Sequence, residues 1–188
     1  INNNIINNAG AITNADVTHS GLISNLGTIT STGTITNLNG GPNGTIVNGG
    51  TLTNTDATLG GTVKADGSNV TFNGSGATIT NLTIDRPVSS LNISKTVTNL
   101  TVNANTTVSS DSALKIGTAG TIASGVTFIN NGSLDNSGTT ITNNGTLTHN
   151  NNAVIQGTVV AGGTGNVTFN GTSTGGIALL KIGSAVSS

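Results

Sequence analysis

The chain has 188 residues, a formal net charge of −1 and only 6% charged residues. Its five Lys and Arg residues and three Phe residues are too few to form the basic stripe and stacking surface that nucleic-acid binding requires. The absence of cysteine excludes a disulfide framework and a thiolate metal site. No apolar run approaches the roughly 20 residues of a membrane-spanning helix. We therefore expect no nucleic-acid partner, membrane insertion, metal or cofactor.

The composition favours a folded chain over a disordered one. Apolar residues make up 33% of the sequence, and 28 glycines raise the total towards the ~45–50% that is typical of globular domains. Disordered segments usually combine a high net charge with few β-branched residues. This chain has almost no net charge and is rich in Thr, Val and Ile.

The first third of the chain repeats with a period of seventeen residues. Apolar residues recur at that interval, and Thr alternates with them as in Thr28-Ile29-Thr30, which is the period of two that defines a β-strand with one face buried. One coil of a repeating structure therefore has about seventeen residues. The predicted inward column consists of Ile12, Ile29, Ile46 and Val63.

In the middle of the chain the period becomes eighteen. The segment TITNLTI at 78–84 returns as TVTNLTV at 96–102. Ile79 and Leu82 are three residues apart and cannot both point inward along one straight strand, so the chain is predicted to turn between them. Asparagine suits such a corner, and its amide can bond to an asparagine one coil away. The spacing predicts two stacked pairs, Asn37 with Asn54 and Asn81 with Asn99.

A longer repeat connects the first half of the chain with the C-terminal half. GTVKADGSNVTFNG at 61–74 is matched by GTVVAGGTGNVTFNG at 157–171. We interpret residues 1–188 as a single domain with a partial internal duplication that covers about 45–74 and 140–171.

Short strands, Gly or Asn corners and a coil of 17–18 residues predict an all-β parallel β-solenoid, most simply a right-handed β-helix. An antiparallel sandwich is the structural alternative, because its strands also recur at short intervals. A sandwich does not require like residues at a fixed interval, so the repeats favour the solenoid.

Residues 70–117, which begin VTFNGSGATITNLTIDRP, resemble the secreted β-helix repeats of large surface proteins in Bacteroidetes, and the resemblance extends to VTFNGTS at 167–173. Autotransporter passengers and phage fibres share this appearance. The resemblance implies export to the cell surface and a role in adhesion or in a fibre, and it transfers no catalytic residue. Asp111-Ser112-Ala113 also matches a short O-glycosylation motif of that group, which marks Ser112 as a possible glycan site.

Catalysis has one candidate pair of carboxylates. Enzymes built on β-helices place several acids with Arg or Lys on one outer face. Asp66 and Asp85 are nineteen residues apart, close to one coil, and Arg86 follows directly. The competing interpretation is isolated corner acids with solvated side chains, and we favour it. We expect a protein that is not an enzyme.

Stacked threonines raise the alternative of an ice-binding face, which needs a regular Thr array. The seventeen-residue interval aligns Thr28, Thr45 and Thr62. The companion column is interrupted by a lysine, since it reads Thr13, Thr30, Val47 and Lys64.

Both ends of the sequence resemble ordinary coils, with apolar residues at Ile5, Ile6, Leu179, Leu180 and Ile182. An open solenoid end offers an unpaired strand to another chain. We therefore expect an extracellular, non-catalytic structural or adhesive protein of the bacterial cell surface that assembles head to tail with copies of itself. A carbohydrate-binding or carbohydrate-active β-helix protein is the alternative, with surface glycans as partners, and an ice-binding protein is a weaker one.

Overall fold

A computed structural model describes residues 6–8, 11–14, 17–19, 23–25, 28–31, 35–37, 45–54, 59–73, 78–150, 154–162, 165–169 and 179–182. Over these residues the regular elements are all β-strands. In chain order they are β1 (Ile6–Asn8), β2 (Ala11–Asn14), β3 (Val17–His19), β4 (Ile23–Asn25), β5 (Thr28–Ser31), β6 (Ile35–Asn37), β7 (Thr45–Asn48), β8 (Thr51–Asn54), β9 (Leu59–Ala65), β10 (Asn69–Asn73), β11 (Thr78–Ile84), β12 (Val88–Ile93), β13 (Thr96–Val102), β14 (Thr106–Val108), β15 (Ala113–Ile122), β16 (Thr127–Asn130), β17 (Ser133–Asn143), β18 (Thr146–His149), β19 (Val154–Ala161), β20 (Asn166–Phe169) and β21 (Leu179–Ile182).

The strands stack in parallel as a β-solenoid. A ten-stranded sheet has the order β1-β4-β7-β9-β11-β13-β15-β17-β19-β21, and a nine-stranded sheet has the order β2-β5-β8-β10-β12-β14-β16-β18-β20. Strands β3 and β6 form a separate pair. Each turn of the chain thus adds one strand to each large sheet, and the predicted solenoid is confirmed. Its right-handedness stays a prediction.

Alternation of apolar and polar residues places the core between the sheets. In β10, Val70 and Phe72 are buried whereas Thr71 between them is half-buried. Phe72 pairs with Leu52 on one side and with Ile93 on the other, so apolar side chains continue from turn to turn. Because like residues stack in register, the inward positions from Ile46 to Val159 join into one hydrophobic cluster.

The pairing of strands in the larger sheet shifts register where the sequence predicts a turn. Ile79 and Leu82 are both fully buried, and Asn81 between them is half-buried. The pairing of β11 with β9 shifts register between Ile79 and Asn81. Similar shifts recur between β13 and β15 and between β15 and β17. A strand bends where its register shifts, so this line divides the larger sheet into two stretches, each with its own inward residues.

The predicted column of Ile12, Ile29, Ile46 and Val63 is wrong at its central step. Ile12 pairs with Ile29 in the smaller sheet, and Ile46 pairs with Val63 in the larger one. Ile29 pairs with Leu52 instead, and Ile46 pairs with Ile23.

An enlarged turn explains this error. Ile23 and Ile46 pair directly although they are twenty-three residues apart (46 − 23), whereas the preceding turn from Ile6 to Ile23 has seventeen residues (23 − 6). Both turns contain a strand of the two-stranded sheet, β3 or β6, so the added residues lie mostly between β6 and β7. The seventeen-residue interval from Ile29 to Ile46 therefore joins positions on different sheets.

Candidate functional site

The two carboxylates that the sequence selects lie at neighbouring turns. Lys64 is near the end of β9 and Asp66 follows that strand, whereas Asp85 and Arg86 follow β11. Since β9 and β11 are adjacent and parallel, the residues after them lie at the same edge of the sheet. Asn103 follows β13 and adds a third turn. We call these five residues the charged cluster.

The charged cluster consists of two ion pairs that cross between turns. Lys64 Nζ lies 2.9 Å from Asp85 Oδ2, and Arg86 Nε lies 3.6 Å from Asp66 Oδ1. The Nδ2 group of Asn103 donates a 2.9 Å hydrogen bond to Asp85 Oδ1. Around these side chains is a cleft of about 260 Å³. Two anions thus face two cations, and the cluster is neutral.

The electrostatics of the charged cluster stabilise a carboxylate and not a carboxylic acid. The hydrogen bond from Asn103, followed by the one from Lys64, holds the pKa of Asp85 below its usual value. A general acid needs a pKa raised towards the working pH. The side chains of Lys64 and Asp85 are each 41% exposed, and exposed ion pairs contribute about 0–1 kcal/mol. The arrangement therefore fits a pair of weak ion pairs that link neighbouring turns better than it fits an acid–base pair.

The structure contains one of the two predicted asparagine pairs. Asn99 Nδ2 donates a 2.9 Å hydrogen bond to Asn81 Oδ1, and the two residues are in register. Asn37 pairs with His19, and Asn54 pairs with Ser31. The prediction for Asn37 and Asn54 is therefore wrong, because β6 belongs to the separate two-stranded sheet.

Sequence reasoning missed a set of buried asparagines at the corners between the two large sheets. The shared signal is Asn-x-Gly in which the asparagine is the last residue of a strand. In each case Asn Oδ1 accepts a hydrogen bond from the N–H of the glycine, at 3.2–3.3 Å. The amide nitrogen donates to backbone carbonyls of the same corner or of the next turn. These asparagines are Asn48, Asn130 and Asn143, and all are fully buried.

The glycine of this corner motif is required by contact with the preceding turn. A Cβ atom on Gly132 would lie 2.6 Å from the carbonyl oxygen of Ser109 and 2.7 Å from that of Ser112. A Cβ atom on Gly145 would overlap the carbonyl oxygens of Val126 and Ala123. The motif therefore closes a corner by satisfying buried backbone groups and by permitting close approach of two turns.

Ser112 does not fit the predicted glycan site. Its side chain is buried, and its hydroxyl donates to the carbonyl oxygen of Leu91 and accepts from the N–H of Ile93, both at 3.1 Å. A glycan on this oxygen would replace the hydrogen that is donated to Leu91, and it would have no space at this buried position. The structure assigns Ser112 to the interior, whereas the adjacent Ser110 and Asp111 are exposed.

The threonines of the predicted columns pair differently from the prediction. Thr13 pairs with Thr30 and Thr45 with Thr62, but Thr28 pairs with Thr51. Among the residues whose burial is described, the longest outward Thr column lies on the larger sheet and contains Thr83, Thr101, Thr121 and Thr142. Lys64 precedes this column and Val160 follows it. The Thr column therefore spans four strands and ends at a lysine on one side and at a valine on the other.

The residues predicted to form the assembly ends lie in the edge strands of the larger sheet. Ile6 is in β1, and Leu179, Leu180 and Ile182 are in β21. Ile5 lies outside the described residues. The strand register places Ile6 of β1 and Leu180 of β21 at equivalent positions. Ile6 pairs with Ile23, which pairs with the buried Ile46, and Leu180 pairs with the buried Val159.

Comparison with known proteins gives no match: no family model matches the chain, and no curated protein or solved structure matches it. Among the described residues, no helix is long and apolar enough to cross a bilayer. In the same part of the chain, no three His, Cys, Asp or Glu side chains are grouped in a way that could hold a metal ion.

Proposed function

We propose that this chain is a non-catalytic rod element of an extracellular surface fibre or adhesin, in which β-solenoid turns stack end to end. The solenoid fold supports the proposal, because such folds are extended along the stacking axis. The resemblance of residues 70–117 to secreted β-helix repeats of Bacteroidetes surface proteins supports a location at the cell surface.

The observation that carries the proposal is the register of the two edge strands. Position by position, Ile6 and Leu180 belong to one column, which runs through Ile23, Ile46, Val63, Leu82, Leu100, Gly120, Ile141 and Val159. If β1 of one copy pairs with β21 of another, this column continues without a change of register. Such a contact would also pair the backbone groups at the outer edges of β1 and β21, which are the outermost of the described strands in the larger sheet. The outer edge of an edge strand is a site for association.

This head-to-tail contact does not close on itself, so repetition produces a filament. The formal net charge of −1 provides little repulsion between copies. The expected partner is therefore a second copy of the same chain, or further solenoid turns of the same kind.

Negative-stain electron microscopy of the purified 188-residue chain tests the proposal. We expect filaments with an axial repeat of about 48 Å, which corresponds to ten strands at ~4.8 Å. Leu180→Lys should abolish the filaments, because it places a charge in the column that copies would share. Thr101→Lys is the matched control, since Thr101 is on the outward face of β13, and it should leave the filaments intact.

Two results would reject end-to-end assembly. One is a strictly monomeric species at high protein concentration. The other is a filament that survives Leu180→Lys while the circular dichroism shows an intact β-structure. A carbohydrate-active enzyme is the competing function, and it predicts release of sugars from a polysaccharide together with a loss of that activity in Asp85→Asn.

A further inference from the structure

A groove lies on the outward face of the smaller sheet, where the regular ladder is interrupted. Val88 of β12 pairs with Thr106 of β14, and Leu91 pairs with Val108. Two residues of β12, Ser89 and Ser90, therefore lie opposite the single residue Thr107. Such a β-bulge bends its strand and locally re-aims side chains. The groove beside this bulge has a volume of about 330 Å³.

The groove combines hydroxyl and amide groups with a small apolar surface. Its polar lining includes Ser89, Thr107, Thr127 and Asn105, and its apolar lining includes Pro87 and Ile129. Ser89 is exposed. Ile129 is only half-buried, so part of its apolar side chain faces solvent. The lining thus offers both hydrogen-bonding groups and apolar contact to a ligand.

One polar group of the groove is held in place by the backbone. The N–H of Thr127 donates a 2.8 Å hydrogen bond to Asn105 Oδ1, which fixes the amide. Among the described residues no partner is seen for Asn105 Nδ2, so this donor is available to a ligand. The hydroxyl of Thr106 is different, because it donates to the carbonyl oxygen of Ala104 at 2.9 Å and belongs to the wall of the turn.

The charge of the lining restricts the class of ligand. None of the residues that line the groove is charged. An anionic ligand would lose water there without gaining a cationic partner, which is unfavourable. Hydroxyl groups both donate and accept hydrogen bonds, so they match a ligand that carries many hydroxyls. The volume lies at the lower end of the range of about 300–1,000 Å³ for small-molecule sites.

From these observations we propose that the groove at the bulge of β12 binds a neutral saccharide unit. The hydroxyls of Ser89, Thr107 and Thr127 and the amide of Asn105 bond to sugar hydroxyls, and Ile129 contacts a C–H face of the ring. This site shares no residue with the charged cluster, although Pro87 directly follows Arg86 along the chain. The proposal goes beyond the fibre proposal and does not rest on it, because the groove is formed within a single chain whether or not copies assemble.

Saturation-transfer difference NMR tests the groove, and it detects binding to a monomer or to a filament. The probes are the neutral disaccharides cellobiose, lactose, maltose and N,N′-diacetylchitobiose, with digalacturonate as the anionic counterpart. We expect transfer to at least one neutral disaccharide, with weak affinity as is usual for a small open site, and none to digalacturonate.

Two matched tryptophan variants locate the binding. Thr107→Trp fills the groove from the outward face of β14. Thr148→Trp is its control, because Thr107, Ile129 and Thr148 follow one another in the same outward column, and Thr148 does not line the groove. Thr107→Trp should weaken binding by about tenfold or more, a loss that the fitted Kd measures, whereas Thr148→Trp should leave it unchanged. If circular dichroism shows that Thr107→Trp is unfolded, Ser89→Phe blocks the groove from the exposed side of β12.

The proposal is overturned if no neutral disaccharide gives transfer, if digalacturonate gives as much as the neutral sugars, or if the groove-filling and control variants bind equally well. None of these results bears on filament formation, which the electron microscopy measures separately.

Discussion

Asn130→Ala should be among the most destabilising substitutions of a polar residue in this chain. Asn130 is fully buried at the end of β16. Its Nδ2 group donates to the carbonyl oxygen of Gly132 at 3.0 Å, and its Oδ1 accepts from the N–H of Gly132 at 3.2 Å. The Nδ1 atom of His149 lies 3.4 Å from the same Nδ2. Alanine would leave both backbone groups of Gly132 without these partners in a buried corner.

The expected magnitude follows from the two orphaned groups. A buried polar group that loses its partner costs about 1–3 kcal/mol, so Asn130→Ala should cost about 2–6 kcal/mol. The total stability of a domain is about 5–15 kcal/mol. With a urea m-value near 2 kcal/mol/M, the unfolding midpoint should fall by about 1–3 M.

Urea unfolding followed by circular dichroism measures this midpoint. The matched control is Asn92→Ala, since Asn92 is half-buried on the outward side of β12 and should change stability by no more than about 0.5 kcal/mol. The hydrogen-exchange rate of the Gly132 amide reports on this corner directly. It should rise in Asn130→Ala and stay unchanged in Asn92→Ala. Equal midpoints for Asn130→Ala and Asn92→Ala, with equal exchange at Gly132, would refute the corner argument.

Three further predictions concern sterics and charge. Gly132→Ala should lower the Tm strongly because its Cβ would lie 2.6 Å from a carbonyl oxygen, whereas Gly117→Ala should be tolerated because its nearest contact is 3.4 Å; similar Tm values would contradict this. Burial lowers the pKa of Lys95 from 10.5 to about 8, so the unfolded chain binds more protons above pH 8 and stability should rise from pH 8 to pH 10.5. Urea midpoints across that range should show the rise in the parent chain but not in Lys95→Met, and a rise in both would disprove it. Asp85→Asn should cost less than about 1 kcal/mol at pH 7, and because the pKa of Asp85 is lowered in the folded chain, this difference should disappear as the pH falls below the usual value of 3.8. Urea midpoints at both pH values test it, and a difference that persists in acid would argue against the ion pair.

Local patterns in the sequence were sufficient for the fold and for some of its contacts. The parallel solenoid follows from the repeats, because stacked parallel strands require like residues at an interval of one turn. Asn81 and Asn99 illustrate this, since TITNLTI and TVTNLTV align them without an insertion and the structure joins their amides. The two carboxylates of the charged cluster were also found from spacing, although their ion pairs with Lys64 and Arg86 depend on the geometry of the corner.

The change of sheet between Ile29 and Ile46 could not be read from spacing alone. Ile29 and Ile46 are seventeen residues apart, yet they lie on different sheets because the turn from Ile23 to Ile46 is longer than the turn from Ile6 to Ile23. A solenoid tolerates such an insertion at a corner, where the added chain does not disturb the ladders, so a constant interval in sequence does not guarantee one column in space.

The sequence by itself determined that the chain folds as stacked β-strands, since the period of two and the period of about one turn are local properties. Only the tertiary structure decided which polar residues are interior. Ser112 appeared as a surface serine and Asn130 as one asparagine among many, yet both are buried with their polar groups bonded to the backbone. The physical reason is that a corner brings the chain against the preceding turn, and the backbone groups exposed by the bend must then be satisfied by a side chain from inside.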